Sequence, residues 1–147
     1  MNTELTDPML TPEEKEDLLV IAETSIAEHL DRKYMHTHDN IRPSLMKTGA
    51  SFVTLKKLQG LRGCVGQVMP REPLYLSVRN MALAAAFEDP RFKPLTKEEW
   101  PQVTVEISVL GSLIPVQNIT EIAAGKDGLF VKKGHMSGLL LPQVARE

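Results

Sequence analysis

The chain has 147 residues, 42% hydrophobic and 24% charged, which suits one globular domain or two small subdomains sharing a core. A formal net charge of -2 argues against a protein that binds nucleic acid by neutralising phosphates, and 5% aromatic residues argue against a base-stacking platform. A single cysteine, Cys64, excludes an intramolecular disulfide and fits a reducing compartment.

The first ten residues read as a short disordered lead-in. With Glu4 and Asp7, no basic start and no apolar run, they are not a signal peptide, and no apolar stretch approaches the length of a membrane span. A soluble cytoplasmic protein is expected. Thr11-Pro12-Glu13-Glu14 then announces a helix: Thr11 can cap it, Pro12 suits its first position, and Glu14 completes a capping box. Leu18, Leu19, Ala22, Ile26 and Leu30 recur at helical spacing and predict an amphipathic helix over residues 12–32. The polar stretch 33–49 contains His36-Thr37-His38-Asp39, whose imidazoles and carboxylate invite a metal reading. Two histidines at i, i+2 without a third ligand cluster are read as a solvated loop, so neither metal nor cofactor is assigned.

Residues 50–57 predict a strand and 61–68 a second, joined as a hairpin near Gly60. Leu74, Val78, Met81, Ala82 and Ala85 predict a second helix over 73–87, whose alanine run allows close packing and which Asp89-Pro90 ends. Thr96 and Glu99 form a second capping-box pattern before Trp100-Pro101. Val103, Val105, Ile107 and Val109 alternate with Thr104, Glu106 and Ser108, the clearest strand pattern in the chain. One helical turn near 118–124 and two short strands, 129–133 and 137–141, complete the order. Without a βαβ rhythm the chain reads as α+β, with an antiparallel sheet flanked by helices.

Chemistry, if any, centres on Leu61-Arg62-Gly63-Cys64-Val65-Gly66. In a strand, Arg62, Cys64 and Gly66 share one face, with Gly63 and Val65 on the other. A guanidinium close to Cys64 would favour thiolate over thiol, and the glycines would admit a ligand or a neighbouring backbone. Equally, cysteine packs as a small buried apolar side chain, and the glycines would then only accommodate the second helix. Both readings of Cys64 stay open. His135, in a late turn, is the best candidate base, although nothing in sequence places it near Cys64; His29 is expected at the surface. Arg91 suits either a carboxylate or phosphate anchor or a salt bridge holding the Asp89-Pro90 turn. Glu106 lies on the polar face of its strand, where pairing with Arg62 would make a structural ion pair.

These residues carry a resemblance. Leu61–Gly66 resembles the LRGC(I/V)G hallmark of the AMMECR-one domain family, also called the AmmeMemoRadiSam system protein A group, with Val65 in place of the commoner isoleucine. Phe87-Glu88-Asp89-Pro90-Arg91-Phe92 with Pro94-Leu95 resembles its second signature, and Val105–Leu110 its central strand. Gly128-Leu129 and Ser137–Ala145 resemble its late segment. The matches run in order from about residue 12 to 147.

The resemblance implies a larger subdomain of residues 1–69 and 101–147, a smaller inserted α+β subdomain of residues 70–100, and a cleft between them. It would be lined by Leu61, Arg62, Gly63, Cys64, Val65, Gly66, Arg91 and Glu106. It also implies a C-terminal helical segment beyond Glu147, so the chain is expected to be truncated, with an apolar patch where that segment would lie. The implied context is a Memo-type protein and a radical S-adenosylmethionine protein. The function expected is a non-catalytic binding or scaffold module for such partners. The alternative is an enzyme, or an enzyme subunit, using Cys64 as an activated thiol on a protein or small-molecule substrate.

Overall fold

The structure, a computed structural model, describes residues 2–5, 10–33, 38–142 and 144. It divides into two units, Met1–Leu110 and Gly111–Glu147.

In the first unit, helix α1 spans Pro12–Leu30. Its capping box forms as the sequence predicts. The Thr11 hydroxyl accepts the Glu14 N–H at 3.2 Å, and the Glu14 carboxylate accepts the Thr11 N–H at 2.9 Å. Leu18, Ile21, Ala22, Ser25 and Ile26 form its buried face, and the Ser25 hydroxyl is satisfied by the Ile21 carbonyl at 2.6 Å. Leu19 and Leu30 pack only partly against the core.

The sheet is built on β2 (Thr48–Lys57), which pairs antiparallel with β5 (Val103–Leu110) on one side and with β3 (Gly60–Gly66) on the other. β4 (Glu72–Pro73) pairs with the start of β2. The strict alternation in β5 buries Val105, Ile107 and Val109, and β2 buries Ser51, Val53 and Leu55. These side chains meet α1 and α2 (Leu74–Phe87) in one core with Leu18, Ile26, Val78, Met81 and Ala85. The fold is therefore α+β, with antiparallel sheets flanked by helices.

Part of the expected lead-in is ordered. Residues Asn2–Leu5 form β1, which pairs parallel with the far edge of β5. Without it, a row of β5 backbone donors and acceptors would lack partners, which is reason enough for a short polar segment to add there. Residues 1 and 6–9 of the same stretch lie outside the described residues.

α2 lies close to the sheet because its core face is largely alanine: Ala82, Ala84, Ala85 and Ala86 are all buried. Beyond its end, the Leu95 N–H bonds the Ala86 carbonyl, folding the 88–95 segment back along the helix. The Thr96–Glu99 capping box forms, but it closes a turn that leads into a single 3₁₀ turn at Trp100–Gln102. The segment 70–100 thus contributes α2 and Leu95 to the first unit's core, and the boundary between the units falls at 110/111.

The second unit holds a 3₁₀ turn, Ile119–Glu121, and a hairpin of β6 (Leu129–Lys133) and β7 (Met136–Leu140). Gly134, at φ +60°, makes the connecting turn with His135. Among the described residues no helix is long and apolar enough to cross a membrane.

Candidate functional site

The hairpin of β2 and β3 presents Leu61–Gly66 on an edge strand, since among the described residues β3 has β2 as its only sheet neighbour. Its glycines have packing roles. A Cβ on Gly63 would lie 2.2 Å from the Ala85 carbonyl oxygen, so this glycine is what lets α2 approach the strand. On the opposite face, a Cβ on Gly66 would lie 2.1 Å from the Phe52 ring, which covers that position. Val65 packs against the core, and Leu61 is exposed.

Cys64 is half-buried, and its sulfur accepts the Thr54 hydroxyl at 3.3 Å. Thr54 stands directly across from Cys64 in the ladder. The backbone N–H and C=O of Cys64 point away from β2, at the sheet edge, where a loop meets both. The N–H donates to Asp89 Oδ2 at 2.9 Å, and the carbonyl accepts from Arg91 Nη2 at 3.3 Å. Outward-directed backbone marks Thr54 and Cys64 as a non-hydrogen-bonded pair, the closer kind, which is why their side chains touch.

Asp89 is buried, and its carboxylate is filled by Arg91. Oδ1 accepts the Arg91 N–H at 3.1 Å and Nε at 3.0 Å, while Oδ2 accepts Nη2 at 2.8 Å. The hydrogen bonds from Arg91 first, then that from the Cys64 N–H, hold its carboxyl well below the usual carboxylate range, against the opposing effect of burial.

Arg62 forms a second unit of the same kind with Glu99. Nε donates to Oε1 at 3.2 Å and Nη2 to Oε2 at 3.0 Å, and Nη2 also donates to the Lys93 carbonyl at 2.8 Å. Lys57 Nζ joins Glu99 Oε1 at 3.1 Å. The Arg62 hydrogen bonds are the largest cause of the lowering of the Glu99 carboxyl to about 2. Both guanidinium carbons approach one aromatic ring, that of Phe92, at 5.8 Å for Arg62 and 5.5 Å for Arg91.

The structure thus gathers Arg62, Cys64 and Arg91 around the 89–99 segment but leaves Glu106 elsewhere. The Arg62–Glu106 pairing weighed from the sequence does not form. β2 lies between the strands that carry Arg62 and Glu106, and Lys56 on β2 instead reaches Glu106 at 3.1 Å from a diagonal position. Of the two roles weighed for Arg91, the salt bridge that holds the Asp89 turn forms. His29 is exposed, as expected, and its ring stacks on Phe87 at 4.0 Å. His135 sits exposed in the β6–β7 turn of the second unit. Of the His36–Asp39 cluster, His36 and Thr37 lie outside the described residues, and His38 Nε2 lies 3.5 Å from the Ser25 hydroxyl. The residues that sequence reasoning did not place at the site are Thr54, Asp89, Phe92 and Glu99. The one local signal for Asp89 was a carboxylate followed two residues later by an arginine across a proline.

The AMMECR1 family model matches residues 19–147. A protein of Nanoarchaeum equitans is 42% identical over 138 residues, covering 89% of this chain and 77% of its own length. One from Aeropyrum pernix is 39% identical, covering 94% of this chain, and one from Saccharolobus islandicus is 43% identical, covering 88%. The chain spans only 65% and 62% of the length of those two relatives. The crystal structure of an uncharacterized protein, PH0010, from Pyrococcus horikoshii superposes with a TM-score of 0.83 at 37% identity, covering 92% of this chain and 72% of that one.

Proposed function

The chain belongs to the AMMECR1 family, and on that premise we propose that it is a non-catalytic binding module whose partners are a Memo-type protein or a radical S-adenosylmethionine protein. One observation carries this reading: the groups that would activate Cys64 are already committed within the fold. Asp89 and Arg91 close on the backbone of Cys64, Glu99 neutralises Arg62, and the Thr54 hydroxyl donates to the sulfur. A nucleophilic thiol needs a base within hydrogen-bond reach, and the side chain in contact with this sulfur is a threonine. The partner class comes from the resemblance of the Leu61–Gly66 and Phe87–Leu95 segments to the family signatures.

The test is co-purification of the protein with a Memo-type partner and with a radical S-adenosylmethionine partner, using wild type and Cys64→Ser. Undiminished capture by the serine variant is the expected result. Loss of capture or of cellular function in Cys64→Ser, with the fold intact, would overturn it.

The partial exposure of Cys64 is the observation on the side of a thiol enzyme. That reading requires rapid alkylation of the native protein by iodoacetamide at neutral pH, whereas the binding-module reading expects modification to become rapid only on unfolding.

A further inference from the structure

Arg62 and Arg91 are held in the same way, and each keeps one nitrogen outside its contacts. A guanidinium has five N–H donors. In Arg62, Nε and Nη2 grip Glu99 side-on, and Nη2 also donates to a backbone carbonyl, that of Lys93. In Arg91, Nε and Nη2 grip Asp89 side-on, and Nη2 also donates to a backbone carbonyl, that of Cys64. Both stand beside the Phe92 ring. In each case Nη1 is left over. For Arg62 this nitrogen is buried and has no hydrogen-bond partner. For Arg91 the side chain is 55% exposed.

A buried cationic N–H without an acceptor is unfavourable, and the Phe92 ring, 5.8 Å from the guanidinium carbon, offsets only part of that cost. The local charge points the same way. In the ion pairs of the site, Arg62, Arg91 and Lys57 bring three positive charges against the two of Asp89 and Glu99. Planar guanidinium groups fixed from behind by carboxylates are preorganised donors, because their rotamers are already locked.

We propose that Arg62 and Arg91, beside Phe92, receive an oxyanion, a carboxylate or phosphate group, at their Nη1 nitrogens. This rests on the binding-module reading and gives it a ligand chemistry. The half-exposed Arg91 meets the group first. The buried Nη1 of Arg62 supplies the desolvated contact.

The test is a titration of the full chain followed through arginine side-chain ¹⁵N resonances. The probes are sodium phosphate and sodium acetate, at ionic strength held constant with chloride. A saturable shift of the Arg62 and Arg91 resonances is expected with at least one probe. Saturation by phosphate alone identifies a phosphate-bearing ligand, and saturation by acetate identifies a carboxylate. Arg62→Lys keeps the charge and a contact to Glu99 but loses the second fork, so it should weaken binding tenfold or more. Should that variant fail to fold, the wild-type titration decides alone. Shifts no larger than those caused by chloride, for both probes, overturn the proposal. Partner capture unaffected by such a failure would leave the binding-module reading standing.

Discussion

The Asp89 carboxylate accepts the Cys64 backbone N–H at 2.9 Å, and the arginine it holds, Arg91, donates to the Cys64 carbonyl at 3.3 Å. A side-chain ion pair therefore meets one residue of β3 as a neighbouring strand would, with an acceptor and a donor in the strand's own pattern. Edge strands with open backbone groups are prone to pair with other chains, and covering the edge is one protection. The cap and the cysteine are separate in sequence by 25 positions yet form one structural element.

Removing the cap should be costly and local. Asp89→Ala deletes a buried carboxylate that accepts four hydrogen bonds and leaves Arg91 without its counter-charge. Unfolding in urea should show a loss of about 2–3 kcal/mol, the scale of charge-assisted hydrogen bonds to a buried group. Hydrogen exchange should accelerate most at the Cys64 amide. An unchanged Cys64 exchange rate would show that the cap does not protect the edge.

The acid limb of stability follows from the same two carboxylates. Glu99 titrates at about 2 in the fold against an ordinary 4.5, and Asp89 is likewise displaced downward. A depressed folded value means that the unfolded chain binds protons more readily. The contribution of Glu99 is therefore complete above its unfolded value of 4.5 and lost as pH falls through about 2. Stability should be level near neutrality and decline across that window. Glu99→Gln should differ most from wild type at neutral pH and converge on it toward pH 2, read from urea midpoints across a pH series. A constant difference at all pH values would contradict the assignment.

Local patterns made most of the frame legible in the sequence. The Thr11–Glu14 capping box needs only three-residue spacing, and the alternation from Val103 to Val109 shows its buried face directly. The site was less legible because its contacts are distant in sequence. Glu99 lies 37 positions from Arg62, and nothing local distinguishes it from Glu106 as a partner. Strand order decides between them, since β2 lies between β3 and β5, and the order of strands in a sheet leaves no periodic trace. β1 was hidden for a related reason: four residues without alternation give no strand signal, and their pairing is supplied by the open edge of β5.

The two glycines flanking Cys64 should respond differently to alanine. At Gly63 the added carbon meets backbone, the Ala85 carbonyl of α2, which moves only if the helix moves. Gly63→Ala should cost about 3 kcal/mol, the upper part of the range for overpacking. At Gly66 the obstacle is Phe52 Cγ at 2.1 Å, on a half-buried side chain that clears it only by changing its χ1 rotamer, with no movement of backbone. Gly66→Ala should cost about 1 kcal/mol, mainly lost ring contact. Equal losses in thermal or urea unfolding would mean that the ring is as fixed as the helix.

The turn leading into the motif stores removable strain. β2 and β3 are joined by Leu58 and Gln59, with Lys57 paired to Gly60, so the loop has two residues. Both have positive φ, 51° and 64°, the type I′ geometry that suits the right-handed twist of a hairpin. That geometry favours Asn-Gly, since side chains beyond Cβ crowd the backbone there, at roughly 1–2 kcal/mol per residue. Leu58 is 84% exposed, so replacing it sacrifices little packing. Leu58→Asn combined with Gln59→Gly relieves the strain at both positions. Glycine returns part of the gain through the greater freedom of the unfolded chain, by roughly 0.5–1 kcal/mol. The net expectation is a stabilisation of about 1 kcal/mol, seen as a higher urea midpoint with an unchanged slope. The hairpin register, and with it the Cys64–Asp89 contact, should be preserved, since a better I′ turn reinforces the same pairing. A lowered midpoint would show that the exposed leucine makes a contribution that its surroundings in the fold do not reveal.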